Sequence, residues 1–187
     1  MSQDLPVTSY ALLGLLTFGQ PLTGYELKQR ADRTLRFYWV APAMSQVYSE
    51  LARLHRHGLV EKQGQGRATA YALSAKGNRA LRRWLAETPA GFPVLKHPVA
   101  LRLMLAALVE PDATRRMLRE HLEAVAAERA ALAEVRDSLT GADGPGEVFH
   151  HPAMVARWGL SYLANEERTV TELLEQLGRD EADRPPE

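Results

Sequence analysis

Cysteine is absent from the 187-residue sequence, so neither a disulfide nor a thiolate metal site can form, and a reducing cytoplasm suits the chain. The N-terminus lacks the basic segment and apolar run that direct secretion. No apolar run reaches the roughly 18 residues of a membrane span. Internal repeats are missing too. No phosphate-cradling glycine loop follows a strand, no serine sits in a nucleophile elbow, and no paired carboxylates share an evident cleft, which argues against an enzyme. A metal ion is not expected either. His150 and His151 are adjacent and so point apart, and no His-x-x-x-His spacing joins them to His121 or Glu147. No cofactor is implied. What remains is a soluble cytoplasmic protein, with no membrane partner, that acts by binding.

Net charge is also zero, yet the halves differ. Through Thr88 the chain has 12 Lys and Arg against 6 Asp and Glu, a net of +6; beyond it 11 stand against 17, a net of −6. A basic half points to nucleic acid or another anionic surface as its partner.

The basic half breaks into helices and a hairpin. "ALLGLLT" belongs to an apolar helix from about Pro6 to Thr17, ended by Gly19 and Pro21. Thr23 is placed to cap the next helix, with Tyr25, Leu27 and Ala31 as its packed side. "RFYWVAP" is too aromatic for a solvated linker. Pro42 suits the first position of a third helix, and Gly58 its C-cap. Leu59–Gln63 and Thr69–Leu73 alternate apolar and polar residues around Gly64 and Gly66, the pattern of a β-hairpin. Ser74 then caps a fourth helix whose Arg79, Arg82 and Arg83 read as a solvated face. Three helices and a hairpin in this order make a winged helix-turn-helix.

The third helix shows what this unit is for. Met44, Val47, Leu51 and Leu54 recur at helical spacing and ask for burial, while Ser45, Gln46, Ser49, Arg53 and Arg56 fall opposite. A solvated face would carry Glu and Lys; this one begins with small hydrogen-bonding residues and ends in arginines. A recognition helix needs that division, one stripe for its own domain and one for base edges and phosphates. The candidate DNA-binding residues are Ser45, Gln46, Tyr48, Ser49 and Arg53 on this helix. Thr23 and Lys28 on the helix before it, and Lys62 and Arg67 on the hairpin, complete the set.

In "ALLGLLTFGQPLTGYELKQR", "SQVYSELARLHRHGLVE" and "GRATAYALSAKG" the sequence resembles the PadR family of bacterial transcriptional regulators. The likeness spans essentially the whole chain and rests most on Gly24-Tyr25-Glu26-Leu27, Gln46-Val47-Tyr48, Gly58-Leu59-Val60 and Tyr71-Ala72-Leu73-Ser74. It implies a dimeric repressor with an N-terminal winged helix and a helical C-terminal dimerisation region. Ser49 stands where the family often has proline. Ala68, Thr69 and Ala70 follow Arg67 where it is often more basic, so the wing should grip phosphates less firmly.

The acidic half begins after "PAGFP". "PVALRLMLAALVE" is apolar nearly all round and needs cover on more than one side. A helix from Asp112 to Leu139, about 42 Å long, carries Leu118, Leu122, Val125, Leu132, Val135 and Leu139 near a seven-residue repeat. Arg129 and Arg136 interrupt that repeat, against an unbroken coiled coil. After the loop "TGADGPGEVFHHP", a last helix from Ala153 to Leu177 sets Val155, Trp158, Tyr162, Val170, Leu173 and Leu177 on one side. The expected fold is therefore mainly α with a small β-hairpin, a winged helix-turn-helix over 1–88 and an antiparallel helical dimerisation domain over 95–178. A polar tail over 179–187 should be disordered. Leu118, Leu122, Val125, Leu132, Val170 and Leu173 are assigned to the dimer seam, with a simple intrachain hairpin as the alternative. Trp158 and Tyr162, four apart, either fill that core or, as the family likeness implies, bind a small aromatic or drug-like effector. The partners expected are a roughly palindromic double-stranded DNA operator and a second copy. The competing reading is a winged-helix module that binds another protein.

Overall fold

Leu12, Leu13, Leu15 and Leu16 are all buried, and they anchor α1 (Val7–Leu15). The helix lies in the first of two units, Met1–Gly91 and Phe92–Glu187. The computed structural model describes residues 5–64, 66, 69–93 and 96–182. A two-residue strand, β1 (Leu22–Thr23), leads into α2 (Gly24–Thr34). Thr23 caps α2 as the sequence predicts: its hydroxyl accepts the Glu26 N–H at 3.2 Å, and its own N–H donates to Glu26 Oε2 at 2.8 Å, a reciprocal capping box. Those bonds hold the Glu26 carboxyl below the usual carboxylate range.

Helix α3 (Met44–Arg56) starts later than the sequence suggests. Ala43 is its N-cap, and Pro42 is buried just ahead of it rather than opening the helix. Alanine offers no side-chain acceptor, so the tie is made by Gln46, whose Oε1 accepts the Ala43 N–H at 3.3 Å. The other end is as expected. Gly58 has φ 67°, and the Gly58 and Leu59 N–H groups donate back to His55 and Leu54 carbonyls, each at 2.9 Å. This left-handed closure is open to glycine at little cost.

Strands β2 (Val60–Gln63) and β3 (Ala70–Leu73) form the expected hairpin, and α4 (Ala75–Glu87) follows. The sheet has a third strand. Its order is β1-β3-β2, all antiparallel, with Leu22 opposite Tyr71 and Lys62 opposite Tyr71 from the other side. Two residues are too few to show an alternating pattern, so β1 was invisible in the sequence; it ties the start of α2 to the wing. Ser74 caps α4 by accepting the Gly77 N–H at 2.9 Å and donates to the Gly58 carbonyl at 2.7 Å. The core is built from Leu12, Leu13, Leu27, Val47, Leu51 and Leu54, with Tyr71 and Leu81 closing it.

Two aromatic expectations fail here. Tyr25 is 56% exposed while Leu27 and Ala31 are fully buried, because residues two apart do not share a helix face. Tyr38, Trp39 and Val40 of the aromatic stretch are exposed as well.

The second unit contains α5 (Pro98–Met104), a 3-10 turn (Ala106–Leu108), α6 (Pro111–Ser138) and α7 (His150–Ala182). Helices α6 and α7 pack antiparallel. Arg115 meets Glu181, His121 meets Glu166, and Leu132 lies against Gly159, where an added Cβ would sit 2.7 Å from the leucine Cδ2. Leu118, Val125, Leu132 and Val170 are buried inside this hairpin, so they are not the seam between two chains proposed from the sequence. The nearest apolar face, α7, reaches them first. Leu122 and Leu173 are half-buried at its margin. Trp158 and Tyr162 do not share the face of Val170: Ala153 and Ala156 turn inward, and the two aromatics turn out. Helix α7 continues through Ala182, so 179–182 are helical rather than part of a disordered tail; 183–187 lie outside the described residues. Among the described residues no helix is long and apolar enough to cross a membrane.

Candidate nucleic-acid interface

Helix α3 is gripped from behind. Val47, Leu51 and Leu54 are fully buried, and a buried carboxylate joins them: Glu50 accepts a hydrogen bond from the Ser9 hydroxyl of α1. Neither residue stood out in the sequence, because nothing in a single polar residue's spacing announces a partner 41 positions away. Removing one member of a buried polar pair leaves the other unsatisfied, at about 1–3 kcal/mol. Ser9→Ala should therefore lower the urea-unfolding stability by that amount, and Ser9→Thr, which keeps the hydroxyl, should lower it less.

On the outer side Ser45, Gln46, Ser49 and Arg56 are exposed. Gln46 has one end committed to the N-cap, leaving its Nε2 to donate. Ser49 donates to the Gln46 carbonyl at 2.9 Å and keeps its oxygen lone pairs open. Tyr48 is half-exposed, and its ring lies over Gly24, where an added Cβ would meet Cε1 at 2.5 Å. This contact explains the Gly24 of α2: the ring edge that includes Cζ closes the α2–α3 corner, where a side chain at position 24 would have no room. Arg53 approaches Glu50 Oε1 at 3.6 Å, so its charge is shared with the core carboxylate. Thr23 and Lys28 fare differently from the sequence expectation. The Thr23 hydroxyl both accepts from and donates to Glu26, and Lys28 pairs with Asp32 one turn on; both are engaged within α2. Lys62 is exposed on β2. Arg67, the expected wing contact, lies outside the described residues. Arg79, Arg82 and Arg83 are exposed on α4, with Arg82 donating to Asn78 at 2.7 Å.

In the second unit Trp158 is 74% exposed and Tyr162 51%. An open cleft of about 330 Å³ on the same hairpin is lined by Arg129, Arg136 and Leu160, not by these aromatics. A second cleft, about 360 Å³, lies between the 3-10 turn and α6, lined by Arg102, Leu105, Leu108, Val109, Thr114 and Met117. Between them His97 and His121 both direct Nε2 at Glu166 Oε1, at 2.8 and 2.9 Å. Burial pushes the Glu166 carboxyl upward, but the hydrogen bonds from His121 and His97 outweigh it and hold the group below its ordinary value.

A buried-stripe helix with a polar outer face, preceded by α2 and followed by a short antiparallel wing, defines a winged helix-turn-helix protein. Residues 12–83 match the family model described as "Transcriptional regulator PadR-like family", and residues 95–178 match "Virulence activator alpha C-term". Residues 12–83 are thus similar to PadR-like transcriptional regulators, though neither model spans half of the chain. Among solved structures it is similar to a PadR-like transcriptional regulator from Bacillus cereus, at 18% identity and TM-score 0.77, covering 92% of this chain and 98% of that one. Bacillus subtilis PadR in complex with operator DNA matches at 21% and 0.77, covering 92% and 99%. The same protein in complex with p-coumaric acid matches at 21% and 0.76, with the same coverage. At these identities the structural likeness is one of fold. No curated protein matches the chain in sequence.

Proposed function

We propose that the chain is a homodimeric, sequence-specific DNA-binding repressor, with residues 1–88 as the DNA-binding domain and 95–178 as the dimerisation domain. The observation that carries this reading is the division of α3. Val47, Leu51 and Leu54 of its apolar stripe are fully buried, while Ser45, Gln46, Ser49 and Arg56 are exposed on the opposite side, in a half of the chain with net charge +6. Small donors and acceptors suit base edges in the major groove, and the arginine suits a phosphate. A two-fold dimer reads a roughly palindromic operator with half-sites about 10 base pairs apart, or a multiple of that. Occupying such a site blocks transcription, which makes repression the simplest outcome.

The second copy has a surface to bind. Leu101, Met104 and Leu108 are exposed on α5 and the turn after it, and contiguous apolar patches of this kind mark interaction sites. The outward Trp158 and Tyr162, one turn apart, offer a stacking face for a planar aromatic effector. Such a ligand would release DNA only by binding the DNA-incompetent arrangement more tightly.

The test is recovery of bound fragments from random genomic DNA with purified protein, followed by affinity measurements on the operator found. Gln46→Ala and Ser49→Ala should each weaken operator binding roughly ten-fold or more, the about 1–3 kcal/mol of a lost base contact, while generic binding changes little. Operator affinity unchanged in both would remove α3 as the reading face. A module that binds only protein would not be retained on generic DNA at low salt.

A further inference from the structure

We propose that His97, His121 and Glu166 form a binding site for one divalent transition-metal ion of the Zn²⁺ class. Sequence spacing pointed away from a metal, because the histidines lie 69 and 45 positions from Glu166 and no local motif joins them. The fold brings them together from three places: the residue before α5, the middle of α6 and the middle of α7. One donor atom from each lies within 4.8 Å of the other two. Ligands about 2.0–2.1 Å from a tetrahedral ion stand about 3.4 Å apart, so the 2.8 and 2.9 Å histidine–carboxylate distances would lengthen by about half an ångström and the two imidazole nitrogens would adjust by up to about 1.4 Å to complete the set. All three side chains are 17–22% exposed, which keeps the site reachable from solvent.

The donor chemistry selects the ion. Two imidazole nitrogens and one carboxylate suit Zn²⁺, Co²⁺ or Ni²⁺, whereas Ca²⁺ and Mg²⁺ want oxygen alone. Three protein ligands leave a fourth position for water or an outside donor. The ion-free state is held by hydrogen bonds that coordination would replace. His97 Nδ1 accepts the Ala100 N–H at 3.1 Å, so its proton sits on Nε2 and is donated to Glu166. Binding through Nε2 moves that proton to Nδ1 and frees the Ala100 N–H. The ion thus exchanges one N-cap bond of α5 for a direct link between α5, α6 and α7. A purely structural triad would need no ion and gain nothing from one.

Full-length protein stripped with a chelator and titrated with Co²⁺, followed by visible absorption, tests this. One Co²⁺ per chain should bind with the spectrum of a mixed nitrogen–oxygen site and be displaced by Zn²⁺. Loss of a direct ligand should cost at least the about 10–100-fold typical of a supporting residue, so His121→Ala and Glu166→Gln should each weaken binding ten-fold or more. His151→Gln should change nothing, although His150 and His151 rings also lie close, 5.2 Å between centroids. If His121→Ala loses helical circular dichroism, Glu166→Gln decides, since it keeps the side chain's size and its hydrogen-bonding oxygen. Absence of saturable one-to-one binding overturns the site. So does wild-type affinity in the Glu166 variant, or loss of binding in the His151 variant.

Discussion

Gly77→Ala should disable the winged helix, even though alanine is the better helix former by about 0.5–1 kcal/mol. A Cβ at position 77 would intrude on the Leu59 carbonyl oxygen, with the carbonyl carbon only 3.0 Å away and Leu73 Cδ1 at 2.9 Å. The obstacle is backbone, and that backbone is committed: the same Leu59 carbonyl accepts the Ser74 N–H at 3.1 Å. Overpacking of this kind typically costs about 1–3 kcal/mol and more where nothing can yield. We expect a loss of about 3 kcal/mol, a large share of the about 5–15 kcal/mol that holds a domain folded. Operator binding should fall with it, because Leu59 links the end of α3 to β2 and its displacement moves recognition helix and wing together. Equilibrium unfolding in urea measures the first effect and operator titration the second. Stability within 1 kcal/mol of wild type would show that α4 can slide.

Leu132→Asp and Leu108→Asp should behave in opposite ways. Leu132 is buried in the α6–α7 hairpin against Gly159. An aspartate there leaves a cavity and an unpaired buried charge, together about 3–5 kcal/mol, and helical circular dichroism of the second unit should be lost at ordinary temperatures. Leu108 is 81% exposed, so its replacement should leave folding within about 0.5 kcal/mol. If the α5 patch is where the second copy binds, the Leu108 variant should sediment as a folded monomer and lose operator affinity, since one half-site offers too few contacts. A Leu108→Asp protein that remains dimeric would move the interface elsewhere, with the outward face of α7 as the next surface to alter.

The amino-acid sequence by itself determined every element whose signal is local and periodic. The stripe of Val47, Leu51 and Leu54, the caps at Thr23 and Ser74, the left-handed stop at Gly58 and the paired strands around Gly64 were all legible, because 3.6-residue and two-residue repeats and capping chemistry are written within a few positions. So was the division of α3 into a buried and a free side. Only tertiary structure decided which apolar stripe meets which. Leu118, Val125 and Leu132 carry the same pattern whether they face α7 or a second chain, and a repeat does not name its partner. The same limit hid β1, too short for a period, and the Ser9–Glu50 link. It hid His97, His121 and Glu166 as well, whose meeting depends on where three helices cross rather than on any spacing along the chain.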